Sequence, residues 1–272
     1  MLISGPSARS LSSSCEIAMK APENLFKKRL LAGESLHGLW LSMASPVASE
    51  ALSLVGFDWL LFDTEHAAVD LAGVQPLLQA AAVGTAQAVL RPAWNDKVLI
   101  KRALDMGAQT LLIPFVENAE EAAAAVAATR YPPHGIRGVA GATRASRFGL
   151  TSDYFAVADR EIAVLVQIET TSALERLEEI AAVPGVDGVF IGPSDLSASM
   201  GFLGAAGKQE VQDVLKQTAA RIIAAGKAPG ILATNAADAR RYLDWGYRFV
   251  SGAVDLGLLL RAAQGVLADV KA

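Results

Sequence analysis

The chain has 272 residues, 52% of them hydrophobic, with a formal net charge of −4 and one cysteine. That length and apolar content supply one large core or two small ones. A mildly acidic balance with no basic block argues against a nucleic-acid partner. Cys15 alone excludes an intramolecular disulfide framework and a cysteine-rich zinc site. No apolar run reaches the roughly 18 residues that a spanning helix needs, so no membrane partner is expected.

Residues 1–18 differ from the rest. Ser4, Ser7, Ser10, Ser12, Ser13 and Ser14 crowd a stretch with neither the basic start nor the apolar centre of a secretory signal. This stretch is expected to be a disordered extension that does no chemistry, with Met19 as a natural start and residues 19–272 as one domain. A cytoplasmic location follows as the default.

From residue 37 onward, apolar runs alternate with amphipathic stretches. The pattern predicts a strand at His37–Met43, a helix at Pro46–Leu54, a strand at Trp59–Thr64 and a helix at Leu71–Ala82. A strand at Ala88–Arg91, a helix at Asp96–Leu104, a strand at Thr110–Phe115 and a helix at Ala119–Thr129 follow. Turn signals such as Val55-Gly56-Phe57-Asp58 and Met106-Gly107 separate them. A long connection then opens with Tyr131-Pro132-Pro133-His134-Gly135 and carries Arg137, Arg144 and Arg147. Connections of that length are functional or disordered, so this one either covers the active face or is a solvated excursion.

The second half repeats the alternation. Strands are predicted at Ala163–Glu169, Gly188–Gly192, Gly230–Ala233 and Phe249–Gly252, and helices at Ser172–Ala182, Gln209–Ala225 and Ala236–Trp245. The continuous character of Leu111-Leu112-Ile113 and Val164-Leu165-Val166 suits parallel strands covered on both faces. Eight strand–helix units predict a closed (β/α)8 TIM barrel, with an open doubly wound sheet as the alternative.

In a barrel the chemistry sits at the C-terminal ends of the strands. Glu169 and Asp195 each follow a buried-looking strand. Either could be a helix cap or first-turn acid, yet the two together, with no cysteine and little histidine nearby, favour an oxygen-ligand site for a hard divalent cation. His66, after Asp63 and Glu65, is either a structural histidine or an acid–base group. Arg91 directly follows Ala88-Val89-Leu90 and is fixed by Pro92. It would be partly buried and needs an anion, either substrate or a neighbouring carboxylate. Asp105 opposes the dipole of its helix, at a small surface cost or in order to orient a histidine. Ser194 and Asp195 begin a turn whose backbone N–H groups could hold a substrate carboxylate. Lys97, Lys101, Lys208 and Lys216 fall on or beside helices and Lys227 precedes its strand. A Schiff-base aldolase, which needs a lysine on the active face, is therefore excluded.

These residues stand in motifs that resemble the class II pyruvate aldolases of the HpcH/HpaI family. The resemblance runs from about Asn24 to Leu267. It is carried by Gly38-Leu39-Trp40, by Gly56-Phe57-Asp58-Trp59-Leu60-Leu61 with Asp63, by Glu65-His66-Ala67 and by Arg91. It continues through Leu104-Asp105-Met106-Gly107, Arg130-Tyr131-Pro132-Pro133-His134-Gly135-Ile136-Arg137-Gly138 and Val166-Gln167-Ile168-Glu169-Thr170. It ends with Val186-Asp187-Gly188-Val189-Phe190-Ile191-Gly192-Pro193-Ser194-Asp195-Leu196-Ser197. The 4-hydroxy-2-oxoheptanedioate aldolases and the 2-keto-3-deoxy sugar-acid aldolases share this pattern most fully. Ser194 stands where alanine is common.

The resemblance implies a (β/α)8 barrel assembled as a homo-hexamer, a trimer of dimers that exchange a C-terminal helix, here roughly Asp255–Val270. It implies Mg2+, Mn2+ or Co2+ held at Glu169 and Asp195, His66 as acid–base group and Asp105 raising its basicity. Arg91 would stabilise the developing oxyanion, and Gln167, Ser194 and Asp195 would contact the pyruvyl part of the substrate. The implied reaction is aldol cleavage of a 4-hydroxy-2-oxo acid to pyruvate, or hydroxypyruvate, and an aldehyde through a metal-bound enolate. A citrate-lyase-like acyl-CoA lyase would use the same two acids and should bind CoA thioesters. A non-catalytic 2-oxo-acid binding protein would bind pyruvate without exchanging its methyl protons.

Overall fold

The computed structural model describes residues 19–272, so the expectation about residues 1–18 lies outside the described residues. Eight parallel strands close in chain order, β1 (Leu36–Leu41), β2 (Trp59–Asp63), β3 (Gln87–Arg91), β4 (Thr110–Ile113), β5 (Ala163–Ile168), β6 (Gly188–Ile191), β7 (Ala228–Leu232) and β8 (Phe249–Val254). β1 pairs with both β2 and β8, which makes the sheet a barrel and removes the open-sheet alternative.

The helices are α1 (Leu25–Leu31), α2 (Pro46–Ser53), α3 (Leu71–Ala81), α4 (Lys97–Asp105), α5 (Ala119–Thr129) and α6 (Tyr154–Glu161). They continue with α7 (Thr171–Glu175), α8 (Leu177–Ala182), α9 (Pro193–Ser199), α10 (Gln209–Ala224), α11 (Ala236–Asp244) and α12 (Asp255–Lys271). Ser45, Asp70, Asp96, Asn118, Thr170 and Asn235 each cap a helix by accepting an N–H from its first turn. None of these helices is long and apolar enough to cross a membrane.

The alternation of strand side chains produces two cores. Outward-facing Leu39, Leu60, Phe62, Leu90, Leu111, Val164, Val166 and Val189 pack against the helices. Inward-facing Trp40, Trp59, Leu61, Val89, Leu112, Leu165, Phe190 and Phe249 fill the barrel. The interior is crowded enough that Gly38 and Gly230 leave no room for a Cβ, which would run into the Trp59 and Phe249 rings respectively. Helix α1 closes the lower end. Its Phe26 meets Trp59 and Phe249 edge to face at 6.1 and 6.0 Å.

Three helices escaped the sequence pattern. α1 precedes the first strand, α6 lies inside the long connection, and α9 was read only as a turn. The helix predicted over Ser172–Ala182 is broken at Arg176, which leaves helical geometry at ψ +15. β7 starts two residues earlier than predicted because the strand accommodates Pro229. The long connection does not cover the active face. It lies at the opposite end, where the Asp153 carboxylate accepts the Ala21 N–H at 3.0 Å and the Glu161 carboxylate accepts the Asn24 N–H at 2.9 Å. Arg144 donates to the Met106 carbonyl at 2.8 Å, below the end of α4.

Candidate active site

At the C-terminal ends of the strands lies a cavity of about 350 Å³, lined among others by Trp40, Asp63, His66, Arg91, Gln167 and Asp195. A larger cavity of about 420 Å³ lies at the other end, between Gln109, Arg144 and Tyr154. It faces the starts of β4 and β5, away from the strand ends where these folds place their chemistry.

Arg91 is the best-fixed group in the site. Strand register sets Asp63 directly beside it. Arg91 Nε and Nη2 donate to the two Asp63 oxygens at 2.9 and 2.7 Å, the fork-to-fork geometry that favours arginine over lysine. Arg91 Nη1 lies 2.7 Å from Glu65 Oε2. The guanidinium sits 4.6 Å over the Trp40 ring, and Trp40 Nε1 donates to Asp63 at 3.1 Å. Both anions that Arg91 needed are thus neighbouring carboxylates. Two of its N–H donors are engaged by Asp63; the Glu65 contact is an ion pair that leaves Glu65 Oε2 without a hydrogen bond. Burial would raise the Asp63 carboxyl, but the hydrogen bonds and charge of Arg91 overcome it and hold the group below its ordinary range. Glu65 goes the other way. Burial outweighs the pull of Arg91 and holds it above the ordinary carboxylate range.

Glu169 is buried beyond the end of β5. Its Oε2 accepts from Gln167 Nε2 at 2.6 Å and its Oε1 from the Phe115 N–H at 2.8 Å. Burial, opposed by those two bonds and reinforced by the Glu65 and Asp195 charges, pushes its carboxyl up to about 7. Asp195 stands half-buried in the first turn of α9. The N–H groups of Ser194 and Asp195 precede the first intrahelical bond, Leu196 N–H to the Gly192 carbonyl. Gly192 is needed here, because a Cβ would come within 2.8 Å of Glu169 Oε2 and 3.2 Å of Gln167 Nε2.

The donor set fits a hard divalent cation. No cluster of three His, Cys, Asp or Glu residues forms among the described residues. Two carboxylates near enough for the Asp195 charge to act on Glu169 are, however, the oxygen donors that Mg2+ and similar ions accept together with water and substrate oxygens. Gln167 Oε1, buried without a partner, adds a further uncommitted oxygen beside this donor set.

His66 occupies the mouth of the cavity, its side chain 64% exposed. Its nearest carboxylate is Glu65, at 4.0 Å. The structure does not bring Asp105 to it. α4 follows β3 and runs back down the barrel, so its last residue, Asp105, lies at the opposite end from His66. There Asp105 Oδ1 accepts from Arg137 Nη2 at 2.9 Å, which offsets its unfavourable place on the helix dipole. Asp63, Glu65, Trp40 and the Phe115 N–H had not been singled out as site groups. The direct register of Asp63 with Arg91 is the signal that would have found the first.

Charged and polar side chains converging at the strand-end mouth of a barrel, with no lysine among the described residues that line it, are the features of an enzyme acting on a small molecule. The chain belongs to the HpcH/HpaI aldolase/citrate lyase family, whose sequence profile matches residues 36–262. It is 50% identical over 250 residues to a pyruvate aldolase of Rhizobium etli, covering 92% of this chain and 98% of that one. It is 53% identical over 247 residues to a 4-hydroxy-2-oxo-heptane-1,7-dioate aldolase of Salmonella paratyphi A, covering 90% and 94%. A crystal structure of an HpcH/HpaI aldolase/citrate lyase family protein from Burkholderia cenocepacia superimposes with a TM-score of 0.89 at 42% identity, covering 92% of this chain and all of that one.

Proposed function

We propose that this chain is a carbon–carbon lyase that cleaves a 4-hydroxy-2-oxo acid to pyruvate, or hydroxypyruvate, and an aldehyde, with a divalent cation held by Glu169 and Asp195. What supports this reading is that Asp195, Arg91 and Gln167 line one strand-end cavity while Glu169 lies buried behind it, bonded to Gln167, in a chain half identical to relatives named as aldolases. When bound, the cation supplies Lewis acidity at the 2-oxo group.

The residues of the chain do the rest. The free N–H groups of Ser194 and Asp195 hold the substrate carboxylate at the start of α9. Gln167 keeps Glu169 oriented and offers its amide to the substrate. His66, at the mouth, takes the proton of the C4 hydroxyl as the C3–C4 bond breaks. Arg91 directs a donor not engaged by Asp63 at the C2 oxygen, where negative charge develops. Protonation at C3 then gives the 2-oxo acid.

The test is pyruvate in D2O with the protein and Mn2+ or Mg2+, quenched and demetallated before NMR. Deuterium is expected in the methyl group. Binding of pyruvate without exchange would leave a non-catalytic 2-oxo-acid binding protein.

Assembly belongs to the same reading. In the expected hexamer the exchanged α12 would cover Leu259, Leu260, Val266, Leu267 and Val270, each more than half exposed in a single chain. Asp105 and His66 lie at opposite ends of one barrel, so their implied pairing has to be made between copies. Asp105→Asn is then expected to remove a charge that favours the imidazolium, moving the acid limb of the kcat/KM profile to lower pH. An unchanged pH profile would show that the two residues do not interact.

A further inference from the structure

Between β4 and α5 the ladder to β5 is interrupted. Ile113 pairs with Val166, and the Val116 N–H returns to the Gln167 carbonyl at 3.1 Å. The two residues between them give β5 no donor. Pro114 has none, and Phe115 turns its N–H to Glu169 Oε1 instead. It does so at φ +48, the left-handed region that glycine enters freely and other residues enter at a cost. Such a bulge re-aims backbone groups beside active sites.

One aromatic contact can hold the bulge in place. The Phe115 ring stacks on the indole of Trp94, with centroids 5.4 Å apart and planes at 29°. Trp94 is 53% exposed, so it contributes little to either core. Its loop between β3 and α4 is nonetheless anchored on the far side. Asn95 Nδ2 donates to the Glu121 carbonyl at 3.2 Å, and Asp96 accepts the Val98 and Leu99 N–H groups at 2.8 and 3.0 Å.

We infer that the Trp94–Phe115 stack is a positioning device for the cation site, holding Phe115 in the left-handed conformation that aims its N–H at Glu169. Trp94 touches neither substrate nor cation and acts through a backbone donor. The inference rests on the assignment of Glu169 as a cation ligand.

The test is Mn2+ binding to the metal-free full-length chain, read from the electron paramagnetic resonance signal of free Mn2+. Wild type, W94A, F115A, F115G and W94A/F115G are compared, with E169Q as reference and circular dichroism confirming the fold. W94A and F115A are expected to weaken binding about threefold to tenfold, the range an aromatic pair supports. F115G is expected to bind better than F115A, because glycine adopts the required φ without help, and W94A should add nothing to F115G. Wild-type affinity in W94A, or an F115G no better than F115A, overturns the inference. If E169Q itself binds Mn2+ like wild type, the cation assignment falls instead, so the two failures are distinct.

Discussion

Arg91→Ala is expected to lower kcat/KM by at least two orders of magnitude, about 3 kcal/mol of transition-state stabilisation. Among the described residues that line the cavity, Arg91 is the only arginine or lysine. Its geometry is fixed before substrate arrives, by two bonds to Asp63, by Glu65 and by the face of Trp40. A charge held in this way needs no reorganisation when an oxyanion forms. The same substitution strips the counter-charge from two buried carboxylates, which typically costs about 3–5 kcal/mol of stability. Asp63, no longer held down by the guanidinium, would then titrate upward with its burial. Arg91→Lys separates the two effects. It keeps a positive charge near Asp63 but loses the fork, so it should retain more of the thermal stability than of the turnover. Near-normal kcat/KM in a folded Arg91→Ala protein would remove Arg91 from the mechanism.

Glu169→Gln is expected to abolish tight Mn2+ binding and turnover, whereas chelator-treated wild type should regain activity with Mn2+ or Mg2+. Full activity in excess chelator would remove the metal from the mechanism. The substitution is nearly isosteric and removes the charge that a hard cation needs. The elevated Glu169 carboxyl adds a signature in pH. A cation binds the ionised form, so Mn2+ affinity in wild type should fall as pH drops through about 7, by up to about tenfold per unit below it. Stability of the metal-free protein runs in the opposite sense. The folded state holds this proton more tightly than the unfolded chain, so Glu169 costs stability progressively as pH rises from its ordinary value of 4.5 to about 7. Glu169→Gln should abolish that part of the pH dependence of Tm. A pH-independent Mn2+ affinity across this range would contradict the buried, elevated carboxyl.

The barrel was legible because its strands are buried on both faces and read as apolar runs ending in polar residues. Glu169, Asp195, Arg91 and His66 could be placed at the active face for that reason alone. The groups that position them were harder to see. Asp63 is an ordinary strand-end acid until register puts it beside Arg91, and the Phe115 N–H is a backbone donor with no sequence signature. Asp105 could not be placed from the sequence, because its chemical type suits a histidine partner while the direction of α4 carries it away from His66 of its own chain. α1 escaped because seven residues are too few to show a helical stripe. α6 escaped because it interrupts a connection whose opening is dominated by Pro132, Pro133 and Gly135.

The α1 plug has a kinetic consequence. Phe26 caps an interior already filled by the inner aromatic and aliphatic side chains, so reactants share the one doorway at the strand ends. In the proposed reaction the fragment that keeps the carboxylate would sit against Gln167 and the start of α9, and the aldehyde fragment would form nearer the mouth, beside His66. Traffic through a single doorway imposes a sequence. If the proposed placement holds, the aldehyde is expected to depart first in cleavage and the 2-oxo acid second, an order that product-inhibition kinetics would check.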